Sequence, residues 1–332
     1  MARTLAGAPS SPGYGPGMQS SFEDLLVDGP VVLDGAMGTE LDSRGVDTRH
    51  SLWSALAPLE APDVVAAVNR DYLAAGARVL TTASYQMSEP AFESAGRTAA
   101  EARAAVAASA RIALAVARDH EREHLGDRVA VVGGLGPYGA FLADGSEYTG
   151  DYEATVSELE AVHAPRIEVL AAEGVTDFAL ETVPRLDEAE AVVAMLGKTV
   201  PGARCWVSFQ LRADGDRLAD GTSLERAAAW ADREERVIAV GTNCVAPSTV
   251  TPALAMLRAA TRKPLLAYPN SGDSYDPVTK TWSLAPAAER FTAYAGEWLD
   301  AGVRLLGGCC RTTPRDTGAL ADAVGRWRAA RH

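Results

Sequence analysis

Eight short apolar runs, each followed by a longer helical pattern, constrain the fold of this 332-residue chain more than any other feature. The near-continuous apolarity of the runs is typical of strands buried on both faces of a parallel sheet. The predicted strands lie at 31–36, 79–85, 129–137, 177–182, 205–211, 237–244, 264–271 and 303–310. The predicted helices lie at 63–75, 98–119, 151–173, 187–196, 223–233, 248–260, 285–301 and 315–330. Eight such units predict an α/β fold, a single-domain (β/α)8 TIM barrel over residues 21–332, with a doubly wound open sheet as the alternative.

The composition and net charge of the chain indicate which binding partners and which compartment to expect. Residues 1–20 are mainly glycine, proline, serine and alanine, which predicts a disordered tail. Neither this tail nor any later segment has the apolar stretch of a signal peptide or a membrane span. A formal net charge of −13 disfavours binding to nucleic acid or to an anionic membrane surface. We therefore expect a cytoplasmic protein with small-molecule partners and, because no segment demands an interface, a monomer or weak homo-oligomer.

Polar side chains collect where the predicted strands end. They are Asp34, Ser84, Tyr85, Glu181, Asn243, Cys244, Asn270, Cys309 and Cys310. In (β/α)8 barrels the chemistry lies at the carboxyl ends of the strands. The sequence therefore predicts a single site at this end of the barrel.

Three of the four cysteines belong to that end. Cys244 ends the sixth predicted strand and Cys309 and Cys310 end the eighth, whereas Cys205 opens the fifth strand on the opposite face. Three thiolates with no fourth protein ligand are typical of an open, catalytic zinc site, and the two glycines before Cys309 would let the backbone bend toward the ion. Ordinary packing and a disulfide between the two neighbouring cysteines are the alternatives, and strain and a reducing compartment disfavour the disulfide.

An open thiolate–zinc site suggests a substrate that is itself a thiol. Zinc would lower the pKa of that thiol and hold it as a thiolate at neutral pH. The natural reaction is then attack of sulfur on an activated carbon. The chemistry of the ligands alone does not identify the thiol or the carbon compound.

Seven motifs that span the chain from about residue 23 to the C-terminus resemble the homocysteine S-methyltransferase family. They are LDGAMGTEL (33–41), TASYQ (82–86), GPYGAFLADGSEYTGDY (136–152), LETVP (180–184), TNC (242–244), YPNSG (268–272) and GGCCRTTP (307–314). GGCC with an upstream NC is the zinc signature of that family. The SYQ and GPYGAFLADGSEYTGDY segments resemble the bacterial and plant branch that uses S-methylmethionine as the methyl donor.

The resemblance implies a zinc-dependent methyltransferase. Homocysteine would accept a methyl group from S-methylmethionine, or less efficiently from S-adenosylmethionine, and methionine would form. Cys244, Cys309 and Cys310 match the zinc ligands of the family and would act in catalysis through Zn²⁺. Asn270 is a candidate for the fourth zinc position in the substrate-free enzyme.

The same resemblance implies which residues bind the acceptor. Asp34 and Glu181 match the carboxylates that hold the ammonium group of homocysteine, and the backbone N–H groups of Gly35 and Ala36 would bind its carboxylate. Asn243 is also expected to bind substrate. A structural ion pair with an arginine is the alternative for each of the two carboxylates.

Aromatic and acidic residues after the third predicted strand are expected to bind the donor or to cover the site, because aromatic faces and carboxylates attract small cations. Tyr138 and Tyr148 are the candidates there, with Tyr85 and Gln86 after the second strand. A solvated acidic loop is the alternative. Three other functions stay open at this point, namely transfer from betaine or another donor, a non-catalytic zinc or thiol sensor, and a metal-free barrel lyase.

Overall fold

The computed structural model describes residues 20–48, 52–271, 274–276, 279, 281–283 and 291–331, so all but the last residue of the predicted tail lies outside the described part. The described strands are β1 (Val31–Val32), β2 (Val79–Thr81), β3 (Ala130–Leu135), β4 (Asp177–Val183), β5 (Arg204–Phe209), β6 (Val237–Asn243), β7 (Leu265–Tyr268), β8 (Ser274–Asp276), β9 (Thr281–Ser283) and β10 (Val303–Leu306). Each of the eight predicted strands overlaps one of these elements, and β4 and β5 each extend one residue beyond the predicted bounds. The antiparallel pair β8 and β9 was not predicted.

Eight parallel strands form the barrel in the order β1-β10-β7-β6-β5-β4-β3-β2. A bridge between Leu33 and Val79 joins the two ends of this order. The amide of Arg78 donates to the carbonyl of Val32 (2.9 Å), and the amide of Asp34 donates to the carbonyl of Val79 (3.1 Å). The predicted (β/α)8 barrel is confirmed, and the doubly wound alternative is excluded because its outer strands would not meet.

Helices surround the barrel. They are α1 (Phe22–Leu26), α2 (Met37–Ser43), α3 (Ala57–Glu60), α4 (Pro62–Ala74), α5 (Glu89–Ser94), α6 (Ala99–Glu123), α7 (Tyr138–Leu142), α8 (Ser146–Thr149), α9 (Val156–Ala172), α10 (Leu186–Thr199), α11 (Leu224–Arg233), α12 (Pro247–Ala260), α13 (Ala295–Asp300) and α14 (Pro314–Ala329), with 3-10 turns at Trp53–Leu56 and Phe291–Tyr294. None of the helices in these described ranges combines the length and apolarity needed to cross a membrane.

The ends of the long helices follow capping chemistry. Thr155 caps α9 in a reciprocal pair with Glu158, so this helix begins five residues later than predicted. The helix predicted at 285–301 is described only from residue 291 onward. There a 3-10 turn at Phe291–Tyr294 precedes the short α13, which ends at Asp300. Short helices such as α7 and α8 escaped prediction because one turn shows no periodicity.

The first helix closes the amino-terminal end of the barrel. Phe22 is fully buried and packs edge-on against Trp206, whose ring fills the barrel interior, at a centroid distance of 5.3 Å. The backbone amide of Phe22 donates to the carboxylate of Asp177 at the start of β4 (2.9 Å). The described cavity lies at the opposite end, where the barrel strands finish.

Asp177 makes this closure sensitive to pH. Burial raises the pKa of its carboxyl from 3.8 to about 7, so the folded state holds a proton that the unfolded state has lost between those values. The contribution of this group to stability is therefore lost as pH rises from about 4 to 7. We expect Asp177→Asn, which keeps an acceptor for Phe22 but cannot ionise, to gain about 2–4 kcal/mol in free energy of unfolding relative to wild type between pH 4 and pH 8.

Urea unfolding of both proteins across this pH range measures the gain. Glu160→Gln removes an exposed carboxylate from α9 and is the matched control, for which no such pH-dependent gain is expected. Parallel stability curves for wild type and Asp177→Asn would contradict the assignment.

Candidate active site

Three sulfur atoms converge at the carboxyl end of the barrel. Cys244 directly follows β6, and Cys309 and Cys310 follow β10. The Sγ atoms of Cys244 and Cys310 are 3.5 Å apart, those of Cys309 and Cys310 are 4.0 Å apart, and all three lie within 4.8 Å of one another. Cys205 is buried at the start of β5, where its thiol faces the carbonyl of Arg236, and it takes no part in this cluster.

The spacing of the three sulfurs fits a tetrahedral metal ion. Zinc–sulfur bonds of about 2.3 Å in a tetrahedron put neighbouring sulfurs about 3.8 Å apart. The measured separations of 3.5 and 4.0 Å lie on either side of that value. They are far longer than the bond of about 2.05 Å in a disulfide, and all four cysteines are free thiols. The donor set therefore suits zinc, and the disulfide alternative is not supported.

Backbone geometry turns the sulfurs toward one point. Cys244 has φ 53° and Arg311 has φ 67°, a left-handed conformation that is uncommon for residues other than glycine. The amide of Cys309 donates to the carbonyl of Pro269 (2.7 Å), and the hydroxyl of Thr312 donates to the carbonyl of Cys309 (2.7 Å). Gly308 provides space rather than a bend, because a Cβ atom there would lie 2.5 Å from the Thr312 hydroxyl oxygen.

The side-chain amide of Asn243 supports this arrangement. It is buried, and its Nδ2 donates to the Thr182 hydroxyl (2.9 Å) and approaches the sulfur of Cys309 (3.8 Å). Its Oδ1 accepts from the Thr182 amide (2.7 Å) and the Ser208 hydroxyl (2.8 Å). Asn243 borders the pocket, where a substrate-binding residue was predicted. Its amide group, however, is already used by the contacts that hold Cys309 and Thr182. Thr182 is β-branched and has φ 58°, a conformation that is rare for such a residue.

Two buried carboxyl groups, Asp34 and Glu181, face the same pocket. Asp34 accepts hydrogen bonds from the amide (2.7 Å) and the hydroxyl (3.1 Å) of Thr81, and burial raises its pKa to about 7. Burial and then the nearby Asp34 raise the pKa of Glu181 to about 8, although Tyr268 donates a hydrogen bond to it. Within the described residues no salt bridge involves either group, so the structural ion-pair alternative is not supported. Both carboxyl groups line the cavity.

The cavity that connects these groups has a volume of about 240 Å³. Predicted site residues that line it are Asp34, Gly35, Ala36, Tyr85, Gln86, Tyr148, Glu181, Asn243, Cys244, Cys309 and Cys310. The hydroxyl of Tyr148 lies 4.0 Å from the sulfur of Cys244.

Two predicted residues do not line the cavity. Tyr138 begins α7, and its ring packs against Phe141 and Tyr152 in the core at centroid distances of 5.2 and 5.6 Å. Asn270 donates from its side-chain amide to the carbonyl of Cys244 (3.2 Å), so it contacts the backbone of the cysteine cluster.

Sequence reasoning missed a buried polar network behind the cavity. Arg166, almost fully buried on α9, donates to the carbonyls of Tyr85 (2.5 Å) and Gly136 (2.9 Å) and to His163 (2.8 Å). His163 in turn contacts Glu188 (2.9 Å). The network joins the segments that follow β2 and β3, which carry Tyr85 and the α7–α8 region. An arginine beside apolar positions in the APRIEVL segment (164–170) was the available signal.

Comparisons with known proteins agree with one another. The homocysteine S-methyltransferase family model matches residues 31–324. Homocysteine S-methyltransferase YbgG of Bacillus subtilis is 42% identical over 88% of this chain and 93% of its own length. Homocysteine S-methyltransferase of Escherichia coli is 42% identical over 87% and 94%. The crystal structure of the E. coli homocysteine methyltransferase MmuM in a metallated form superposes with a TM-score of 0.81 at 40% identity, covering 90% of this chain and 98% of that one.

Proposed function

The chain belongs to the homocysteine S-methyltransferase family, as its motifs predicted, and we propose that it transfers a methyl group from S-methylmethionine to the thiolate of homocysteine with the help of a bound zinc ion. Methionine is the product on both sides of the transfer, because the acceptor gains the methyl group that the donor loses. The observation that carries the proposal is that a cluster of three thiols and a pair of buried carboxyl groups open into one pocket.

Cys244, Cys309 and Cys310 are the proposed zinc ligands. The distances among their sulfurs support zinc, and the E. coli relative has been solved in a metallated form. When bound, zinc supplies Lewis acidity that lowers the pKa of the homocysteine thiol, so that no general base is required. Asn243 keeps Cys309 in position by its contact with the sulfur.

Asp34 and Glu181 are the proposed partners of the homocysteine ammonium group. An ammonium group between the two carboxyl groups can donate a hydrogen bond to each, and charge-assisted hydrogen bonds of this kind are among the strongest in proteins. Gly35 and Ala36, at the beginning of α2, are proposed to bind the carboxylate through their backbone N–H groups. The acceptor would thus be held at both ends of its amino-acid group, with its sulfur directed to the thiol cluster.

The proposed donor carries a positive sulfonium, and transfer of its methyl group to a thiolate removes both charges. A pocket that excludes water favours this step, because water stabilises the separated charges more than the transition state. In-line alignment of the two sulfurs and the methyl carbon accounts for much of the remaining acceleration. The likeness of the α7–α8 segment to the S-methylmethionine branch, and the rings of Tyr85 and Tyr148 at the pocket, support this donor.

Other features support small-molecule partners in a reducing compartment. The net charge of −13 would repel nucleic acid. Three thiols that must stay reduced to bind a metal are suited to the cytoplasm, which we propose as the location.

The test is formation of methionine from homocysteine on reduced, zinc-loaded protein, with S-methylmethionine, S-adenosylmethionine or betaine as the donor. We expect kcat/KM to be highest with S-methylmethionine, by roughly tenfold or more over either alternative. Faster turnover with betaine would assign a different donor to the same acceptor site. Absence of turnover with all three donors, on protein that holds one zinc ion, would overturn the proposal.

A further inference from the structure

A buried carboxyl group of the pocket belongs neither to the thiol cluster nor to the pair proposed for the acceptor. Glu147 belongs to α8, its side chain lines the cavity, and only 4% of the residue is exposed. Its Oε2 atom has no hydrogen-bonding partner among the residues that the structure describes. A buried, unpaired carboxylate oxygen is costly to the folded state and therefore points to a ligand that completes it.

Close packing of the backbone fixes the position of Glu147. Helices α7 and α8 pack backbone to backbone at Gly139, where a Cβ atom would lie only 2.4 Å from the amide nitrogen of Glu147. The next residue, Tyr148, has its hydroxyl 4.0 Å from the sulfur of Cys244. The carboxyl group is thus fixed by a tightly packed turn in the cavity that the thiol cluster also lines, and does not hang from a solvated loop.

The charge of the pocket favours a cation at this carboxyl group. Four carboxyl groups line the cavity, and within the described residues no lysine, arginine or histidine does. Asp42 is engaged by the hydroxyl of Thr48, and Asp34 and Glu181 form the pair assigned to the acceptor. Glu147 remains for a second positive charge, and the rings of Tyr85 and Tyr148 in the same cavity add the aromatic faces that attract cations.

We propose that Glu147 binds the sulfonium centre of the methyl donor and thereby selects a positively charged donor over its neutral product. This inference rests on the proposed function and adds a specificity-determining residue to it. In an in-line transfer the donor sulfur lies about 5 Å from the acceptor sulfur, the sum of an attack distance of about 3.2 Å and one carbon–sulfur bond. The cavity beside Tyr148 is adjacent to the thiol cluster and suits that position.

The donor sulfur loses its positive charge during the reaction, and this loss predicts a specific kinetic effect of Glu147. The attraction between Glu147 and the sulfonium is strongest before the reaction and fades as the methyl group leaves, because the donor sulfur becomes neutral. Removing it should therefore raise the KM for the donor without lowering kcat. Loss of the attraction after transfer would also help the methionine derived from the donor to dissociate.

The experiment compares wild type, Glu147→Gln and the control Glu153→Gln, which changes an exposed carboxylate to an amide a few residues further on. Binding of S-methylmethionine is measured by calorimetry on zinc-loaded protein, and binding of methionine at the donor position is measured as competitive inhibition against S-methylmethionine during turnover. We expect Glu147→Gln to weaken S-methylmethionine binding and raise its KM by about 10- to 100-fold, with kcat, the KM for homocysteine and methionine binding unchanged. Glu153→Gln should behave as wild type.

Binding and turnover separate the two hypotheses. Wild-type turnover with an unaltered donor KM in Glu147→Gln would overturn the role of Glu147 and leave the proposed function intact. Equal weakening of methionine and S-methylmethionine would assign Glu147 to an amino group and likewise overturn it. Binding of S-methylmethionine that depends on Glu147, but without methyl transfer, would overturn the proposed function alone. A wild-type protein that binds no sulfonium would overturn both.

Discussion

Cys309→Ser is expected to lose bound zinc and to lower methyl transfer by about 10³-fold or more, while the barrel stays folded. A serine hydroxyl does not ionise near neutral pH, so only two of the three sulfurs would remain to hold the ion. The fold should survive because Cys309 lies in the turn after β10, half-buried, and is held there by backbone hydrogen bonds that serine keeps. Metal content, initial rate and thermal unfolding measured on the same preparation test all three parts.

Cys205→Ala is the matched control for this variant. It also removes one thiol, but from the opposite end of the barrel, where the side chain is packed in the core. We expect it to keep one zinc ion per chain and wild-type kcat, with some loss of stability from the cavity. If Cys309→Ser retains both zinc and activity, the assignment of the metal site is wrong.

Asp34→Asn and Glu181→Gln are each expected to raise the KM for homocysteine by about 100-fold, with little change in the KM for the donor. The amide variants preserve shape, and in Asp34→Asn the side-chain oxygen could still accept a hydrogen bond from Thr81, which helps to close the barrel between β1 and β2. Both variants remove the negative charge that an ammonium group requires. Steady-state kinetics with each substrate varied in turn measure the effect, and Asp214→Asn, which alters an exposed carboxylate in the loop after β5, is the control.

The pH dependence of acceptor binding follows from the same two groups. Their pKa values are raised to about 7 and about 8 in the substrate-free protein, so each is largely protonated at pH 6. An ammonium binds the ionised forms, and affinity should therefore increase as pH rises from about 6 to 8. Methionine, which has no thiol to titrate, is the suitable probe for calorimetry. A profile that remains equally steep in Asp34→Asn and Glu181→Gln would contradict the assignment.

Much of this site could be predicted without coordinates. The three cysteines and the two carboxylates were recognised from their positions at the ends of predicted strands, because parallel strands in a barrel all end on the same face. Tyr138 and Glu147 lie close together in one segment, and here prediction was weaker. Tyr138 was expected in the site but packs in the core, whereas Glu147, one of several acidic residues expected to act in that segment, is the one that lines the cavity. Which way a side chain points in a one-turn helix depends on tertiary packing.

The amino-acid sequence by itself determined the barrel, the end at which the polar side chains collect and the three cysteines that meet there, since hydrophobic periodicity and strand direction are local properties of the chain. Only the tertiary structure decided how the sulfurs meet, through left-handed backbone at Cys244 and Arg311 and the amide of Asn243 against Cys309. It also decided that Glu147 is buried without a partner for its Oε2 atom among the described residues. These features arise from contacts between residues distant in the chain, and such contacts impose no pattern on the local sequence.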